Sequence, residues 1–478
     1  MRFPGFIGPS YTLQSVNIDS QSTINLYPEI NALGTGKERE VASLVPTPGL
    51  RLLTTMVKSP MRGAWTAANG NLYCVYGEKF YFVSSAFAKT EYGSLSTSSG
   101  PVSISDNGTH VVIVDGQYGY TFNMETSVFA QITDPDFYPA DQVTFLDGYF
   151  IFNRKNYPQF FISGLNDVTF DGADIGTAEG SPDKLIGLIA TNQSLYLFGS
   201  KSIEVFYNSG DVDFPFSRIQ GAVIDVGCSA AFSIVKLAGS TFWIGGDYSG
   251  SGIVYQMTGY QAKRISTPAI ETMIRSLTSD QISAATAYSY QQGGHLFYCI
   301  NIPGTDSTWC YDVSTGFWHE RAYLNLWSLE RHRAEFHTVA YGLNIVGDYA
   351  NGNLYALDQS VYTDNGNSIA RIRRSPHVSE GLKFLRHNEF QLDMETGVGT
   401  SGTGQGVDPK VMLRWSDDGG HSWSNEYWAD AGKIGKTKTR VKWRRLGSSR
   451  DRVYEVKVTD PVKVVLLGVE LSIEGGEA

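Results

Sequence analysis

Short runs of alternating aromatic and aliphatic residues, bounded by Gly- or Asn-containing turns, recur along most of this chain. Asn69-Gly70-Asn71-Leu72-Tyr73-Cys74-Val75-Tyr76 leads into Phe80-Tyr81-Phe82-Val83, and Asn107-Gly108 opens a run that ends in Tyr118 to Phe122. Similar pairs of runs begin at Asp147-Gly148, Ser194, Ser240 and Gly294, and a seventh copy begins at Asn351-Gly352. Alternation with period 2 predicts strands with one face buried. Paired hairpins repeating about every 40 residues are what β-propeller blades need, because each blade buries its apolar face only against the next. The pattern predicts an all-β chain with a propeller of six or seven blades over residues 56–368. Helical periodicity stands out only at Pro268 to Leu277, where Thr267 is placed as N-cap and Ile270, Met273, Ile274 and Leu277 share a face.

The two ends of the chain depart from the repeat. Residues 1–55 read as an extended N-terminal arm. Residues 369–478 carry longer alternating strands, such as Lys410 to Trp415 and Val464 to Ile473, and predict a C-terminal β-sandwich domain. Within that domain the stretch 397–406 holds five glycines and no large apolar group, the composition of a mobile loop.

Composition narrows the function classes. The 478 residues are 42% hydrophobic and 13% aromatic, with 27 Tyr and 25 Phe, which suits strands. The formal charge of −10 argues against a protein that coats DNA with its whole surface, since phosphate binding wants a cationic face. It leaves open a neutral or acidic channel that DNA passes through. Pro4 and Pro9 interrupt the first residues, so no signal peptide is expected. No apolar stretch reaches the length of a spanning helix, so no membrane insertion is expected. Cys74, Cys228, Cys299 and Cys310 lie in or beside apolar runs without a C-x-x-C pair, and reduced buried thiols are the expectation. Cys299 and Cys310 could face each other across a hairpin.

Chemistry-bearing patterns are sparse. Ser416-Asp417-Asp418-Gly419-Gly420-His421-Ser422-Trp423 has the S-x-D-x-G-x-x-W spacing of an Asp-box, a turn pinned by its own side chains. Gly435-Lys436-Thr437 resembles the end of a phosphate loop, but Asp430 stands where the motif needs its first Gly. Carboxylate pairs occur at Asp134/Asp136, Asp211/Asp213 and Glu179/Asp183, and loop carboxylates usually cap turns. His332 and His337 are wrongly spaced for a helical metal face, and no calcium loop is present. No catalytic residue, metal site or cofactor is expected.

One stretch carries a strong physical signal. If Lys436 to Arg445 is a strand, Lys436, Lys438, Arg440, Lys442 and Arg444 line one face and Thr437, Thr439, Val441 and Trp443 the other. Five like charges on one face repel unless something anionic lies opposite. Two readings stand: a solvated edge strand protected by charge, or a docking surface for an acidic neighbouring subunit or for nucleic acid.

Several ordered segments resemble a known family. They are Ser20-Gln21-Ser22-Thr23-Ile24-Asn25-Leu26-Tyr27-Pro28-Glu29, then Asp141 to Phe150, then Asp213-Phe214-Pro215-Phe216-Ser217-Arg218-Ile219-Gln220-Gly221-Ala222, then Phe317-Trp318-His319-Glu320-Arg321 and Trp443-Arg444-Arg445-Leu446-Gly447. They resemble the packaged-DNA stabilisation proteins of short-tailed bacteriophages, also called the tail hub or nozzle. The resemblance implies a structural virion protein and not an enzyme. It implies a homo-oligomeric ring, a hexamer, below the portal and its adaptor ring, assembled in the host cytoplasm and located in the virion tail. Its expected partners are tailspikes or tail fibres, a plug or tail needle, and the genomic DNA passing through its lumen. The rival reading is a carbohydrate-binding or sialidase-like propeller, which would need several Asp-boxes where one is found. A WD-repeat scaffold would need Gly-His and Trp-Asp dipeptides in each blade, and these are missing.

Overall fold

A computed structural model describes residues 2–13, 15–31, 42–178, 180, 183–247, 250–381 and 383–475. The residues group into two compact units. One comprises 52–304 and 333–356, and the other 1–51, 305–332 and 357–478.

The first unit is the propeller. Four of its sheets have four strands each, in sequential antiparallel order. The first runs Met61–Thr66, Leu72–Tyr76, Lys79–Val83, Lys89–Ser94. The next three begin at Ser103–Asp106, Val143–Leu146 and Leu185–Thr191. A fifth sheet is centred on Ser240–Asp247 and Gly250–Thr258. The hairpin Thr286–Gln292 with His295–Asn301 begins the sixth, and Ala334–Ala340 with Leu343–Asp348 the seventh. The seven sequence repeats thus fall on seven sheets among the described residues, at the upper end of the expected count.

Apolar packing explains the ring. Separate clusters fill the spaces between successive blades. Val75, Phe80, Ile104, Val111 and Phe122 join the first and second, and Ile151, Phe160, Leu188, Leu197 and Phe206 the third and fourth. Met61, Leu72, Cys74, Ile345 and Leu354 join the last to the first. Closure is completed by the chain entering the first blade: Met56 N–H donates to Gly352 O at 2.7 Å, and Thr55 Oγ1 bonds Asn353 Oδ1 at 2.8 Å. Thr66 and Thr338 hydroxyls meet at 2.8 Å across the same seam. A buried arginine reinforces the first blade. Arg62 donates to the carbonyls of Gly77, Thr97, Ser99 and Gly100 at 2.5 to 2.9 Å.

The centre of the ring is narrow. Gln142, ahead of the third blade, donates to Ala231 O of the fifth at 2.6 Å and accepts from Leu188 N–H of the fourth at 2.8 Å. One mouth holds a cavity of about 290 Å³ lined by Pro101, Asp141, Lys184, Phe232 and Ala284 from five blades.

The helix expected after Thr267 spans Pro268–Arg275, two residues shorter than its apolar periodicity suggested. Thr267 caps it by accepting from Ile270 N–H, and Pro268 occupies its first turn. A second short helix, Ser279–Ser283, has a Thr278/Gln281 capping box.

The second unit is a β-sandwich. One sheet has the order Leu26–Ile30, Ala42–Pro46, Leu466–Gly475, Leu385–Met394, Val441–Arg444. The other includes Thr308–Asp312, Phe317–Asn325, Ser20–Ile24, Arg371–Arg374, Asp451–Val458, Lys410–Ser416 and Tyr427–Asp430. Between them pack Phe3, Phe6, Leu26, Phe390, Leu413, Trp443, Tyr454, Val456 and Leu471. The N-terminal segment therefore contributes strands to both sheets and two phenylalanines to the core. All four cysteines are buried thiols outside any disulfide, and burial pushes Cys228 up to about 12.

Three histidines set an acid limit on stability, His332 and His387 buried and His337 half-buried. Burial holds all three near 4, below the ordinary 6.5. Between these values the unfolded chain binds protons that the folded chain does not, so stability rises with pH there. Each should cost on the order of a few kcal/mol by pH 4. We expect thermal midpoints to fall progressively as pH drops from 6.5 to 4, and less in His337→Gln than in the parent; a flat profile would contradict the buried, neutral assignment.

Candidate functional site: a cationic turn

The basic run is not one continuous strand. Only Val441–Arg444 is extended. Residues 433–440 form turns, because Gly432 and Gly435 adopt φ of 89° and 76°, a region that favours glycine. Lys436 N–H donates to Lys433 O at 2.9 Å, and the Thr439 hydroxyl donates to Lys436 O at 2.8 Å. The expected single face of five cations is thereby corrected. Lys442 and Arg444 share a strand face opposite the buried Val441 and Trp443, while Lys436, Lys438 and Arg440 are exposed on the turn ahead of them.

The surrounding chain fixes this turn. Gly435 N–H donates to Gly397 O at 3.0 Å, and Thr396 Oγ1 donates to Thr437 O at 2.9 Å. A Cβ on Gly397 would stand 2.8 Å from the Lys436 carbonyl carbon and the Thr437 nitrogen. The glycine-rich stretch thus begins pressed against the cationic turn, and only its 400–405 tip is wholly exposed.

The charges are unevenly satisfied. Arg444 pairs with Glu389 at 2.5 Å, and that bond, helped by Lys442 and Arg440, holds the Glu389 carboxyl below its usual range. Among the described residues no carboxylate lies within 4.0 Å of Lys433, Lys436, Lys438, Arg440 or Lys442. Lys433 adds a sixth cation, and Ile434 stands 64% exposed among them. Val441–Arg444 also ends its sheet, the position that the solvated-edge reading requires.

The other sequence candidates take structural roles. Ser416 Oγ accepts from Gly420 N–H at 2.7 Å, Asp418 Oδ1 accepts from Ser422 N–H at 2.8 Å, and Trp423 Nε1 donates to Gly420 O at 3.1 Å. These bonds hold the Asp418 carboxyl well below the usual range, led by the Ser422 hydroxyl. The Trp423 ring lies under the guanidinium groups of Arg374 and Arg414, 4.8 and 4.7 Å away, and both arginines pair with the buried Glu455. Asp134 and Asp211 each accept the N–H of the aspartate two residues on, at 3.0 and 3.1 Å. Glu179 lies outside the described residues. Among the described residues no group of three or more His, Cys, Asp or Glu could hold a metal ion, and no helix is long and apolar enough to cross a membrane.

Sequence reasoning missed two features. Leu326 and Trp327 are 83% and 97% exposed at the tip of the hairpin Phe317–Asn325/Ser328–Arg331. The buried Arg373 binds Phe6 O, Gly5 O, Pro9 O, Gln21 Oε1 and Thr23 Oγ1, which ties down the N-terminal segment. An exposed Trp between polar turn residues could have flagged the first; nothing local marks the second.

Residues 8–362 match the family described as bacteriophage P22 Gp10, β-propeller, and residues 370–474 its β-sandwich. The chain belongs to the P22 Gp10 family. A curated relative is the tail hub protein gp10 of Salmonella phage P22, 25% identical over 297 residues, which are 58% of this chain and 61% of that protein. The match thus spans less than two thirds of that Gp10 relative. Among solved structures, the extracellular domain of BT4673 from B. thetaiotaomicron aligns over 80% of this chain and 47% of its own, with 9% identity and a TM-score of 0.45. The Cps50 (Swd1) propeller of Myceliophteria thermophila aligns over 64% of this chain and 98% of its own, with 8% identity and a TM-score of 0.43. Neither likeness informs function. The Gp10 family is one of phage tail structural proteins, as the ordered segments from Ser20 to Gly447 imply.

Proposed function

We propose that this chain is the tail hub, or nozzle, of a short-tailed phage. Identical subunits form a ring below the portal and adaptor, extend the DNA channel, keep packaged DNA in the head and offer docking sites to tailspikes or fibres and to a plug. The observation that carries this reading is the match of both family regions, propeller then sandwich, in order along the chain. The work is mechanical, and no catalytic constellation is assigned.

The ring centre bears on the path of the DNA. Gln142 bridges three blades there, and the cavity at the mouth is of small-molecule size. These contacts favour a lumen between subunits over one through a single propeller. The sialidase-like alternative is disfavoured, because the one Asp-box is a self-pinned turn and lies in the sandwich region, outside the propeller.

The domain reading of an arm at 1–55, a propeller at 56–368 and a sandwich at 369–478 belongs to this proposal. The family regions meet between residues 362 and 370, while segments 1–51, 305–332 and 357–368 group with the sandwich unit. Limited proteolysis should cut first at 400–405 and leave the propeller resistant; early cuts between blades would contradict a closed ring. Electron microscopy of the purified chain, alone and with portal and adaptor, tests the function. Rings with an axial passage are expected, and monomers under both conditions would overturn the reading.

A further inference from the structure

The two units differ sharply in charge. Residues 52–304 and 333–356 hold 14 Lys and Arg against 23 Asp and Glu, a formal −9, which leaves −1 on the rest of the chain. Six of these acids gather along one blade edge. Phe170–Thr177 is the outermost strand of the third blade and carries Asp171 and Asp174. Asp136 lies against its backbone, 2.7 Å from where a Cβ on Gly172 would stand. The neighbouring loop of the fourth blade packs Phe214 beside Gly176 and Phe160, and presents Asp211 and Asp213. Among the described residues, none of Asp134, Asp136, Asp171, Asp174, Asp211 and Asp213 has a cation within 4.0 Å. Burial and the Asp171 charge push the Asp174 carboxyl up, as expected where like charges gather without a partner.

This edge and the cationic turn are complementary. Each ends a sheet. Each sets one exposed aliphatic residue among its charges: Ile434 at 64% on the basic side and Val212 at 98% on the acidic side. Apolar centres ringed by charge are the anatomy of protein interfaces, and opposed potentials fix partner and register. Two different patches on one chain also make a head-to-tail contact, the kind that closes into rings.

We propose that the turn from Lys433 to Arg444 docks on the acidic outer edge of the third blade of a second copy of this chain. This rests on the ring reading above and names the surfaces that would build the ring. A phosphate backbone is disfavoured as the occupant, because it would offer Ile434 no apolar contact.

Two reversed proteins and their mixture test this. One is Lys436→Glu with Lys438→Glu and Arg440→Glu; the other is Asp171→Lys with Asp211→Lys and Asp213→Lys. All six side chains are exposed, so both should keep the parental melting profile. Sedimentation should show the parent assembled, with the association weakening as salt rises. Each variant alone should need more than about tenfold higher concentration to assemble. An equimolar mixture should restore complexes containing both variants, and all six changes in one chain should restore self-assembly. Restoration in the mixture separates contact between copies from contact within one. Three results would overturn the proposal. The Lys/Arg variant could assemble like the parent. It could do so while losing salt-sensitive binding to duplex DNA, which would assign the turn to nucleic acid. Or both variants could fold yet remain unassembled in the mixture and in the combined chain. A parent that stays monomeric throughout would instead overturn the ring reading.

Discussion

Arg373→Met should lower the stability of the sandwich unit by about 3–5 kcal/mol, because it strands five neutral acceptors that the buried guanidinium satisfies. The Arg373 guanidinium is buried, and burial, partly opposed by the Asp19 charge, lowers it to about 9 from the ordinary 12.5. It stays charged because it donates to five acceptors: Phe6 O and Gln21 Oε1 at 2.5 Å, Gly5 O and Thr23 Oγ1 at 2.9 Å, and Pro9 O at 3.0 Å. Methionine fills much of the volume but satisfies none of them. Three backbone carbonyls of the N-terminal segment would lose this donor, and Phe6, which is 1% exposed and packs on Phe390, would lose its anchor. At about 2–4 °C per kcal/mol for a unit of this size, the midpoint should drop by roughly 10 °C. Protease should then remove the first twenty residues ahead of any cut at 400–405. A midpoint within two degrees of the parent would mean that the arm is held by its apolar contacts alone.

Gly352→Ala should open the propeller at its seam. A Cβ there would stand 1.7 Å from Val57 O and 2.8 Å from the Val57 carbonyl carbon. Both are backbone atoms and cannot swing aside as a flexible side chain would. The same short stretch carries the Met56 N–H to Gly352 O bond that joins the entering chain to the seventh blade. Relief requires the seam to separate, which exposes Met61, Leu72 and Leu354 from the closing cluster. We expect a loss of about 3 kcal/mol or more. Proteolysis should shift to the inter-blade connections, and the protein should bind a hydrophobic dye. If Gly352→Ala keeps the parental midpoint and cleavage pattern, the closure does not depend on this close approach.

These positions show what local pattern can and cannot convey. Alternation between aromatic and aliphatic residues reports burial on one face of a strand, and every blade has that environment. Runs such as Leu72 to Tyr76 and Leu195 to Phe198 therefore announce themselves. The Thr267-Pro268 helix start is equally local, and so is the Ser416 to Trp423 turn, whose bonds all close within eight residues. Arg373 is different. Its acceptors lie about 350 residues away in sequence, and in the sequence it is one basic residue among Arg371, Arg373 and Arg374.

The cationic run was legible as a cluster but not as a shape. Alternation of Lys and Arg with Thr, Val and Trp suggests a strand, yet Gly432 and Gly435 turn the chain before it starts. The Thr439 hydroxyl then caps a turn at Lys436 where a strand would have continued. The acidic edge was hidden for another reason. Asp134/Asp136 and Asp211/Asp213 are distant in sequence from Asp171 and Asp174, and only the packing of Gly172 and Gly176 draws them to one blade edge.

The role proposed for this chain is to hold the genome in place as a part of the virus particle. Its most direct test is the DNA content of heads made with and without it. Infected cells lacking the chain should package DNA normally and then release it, giving empty heads, while adding the purified chain to freshly filled heads should retain the genome and permit tail completion. Filled, stable and infectious particles assembled in the absence of the chain would contradict the account.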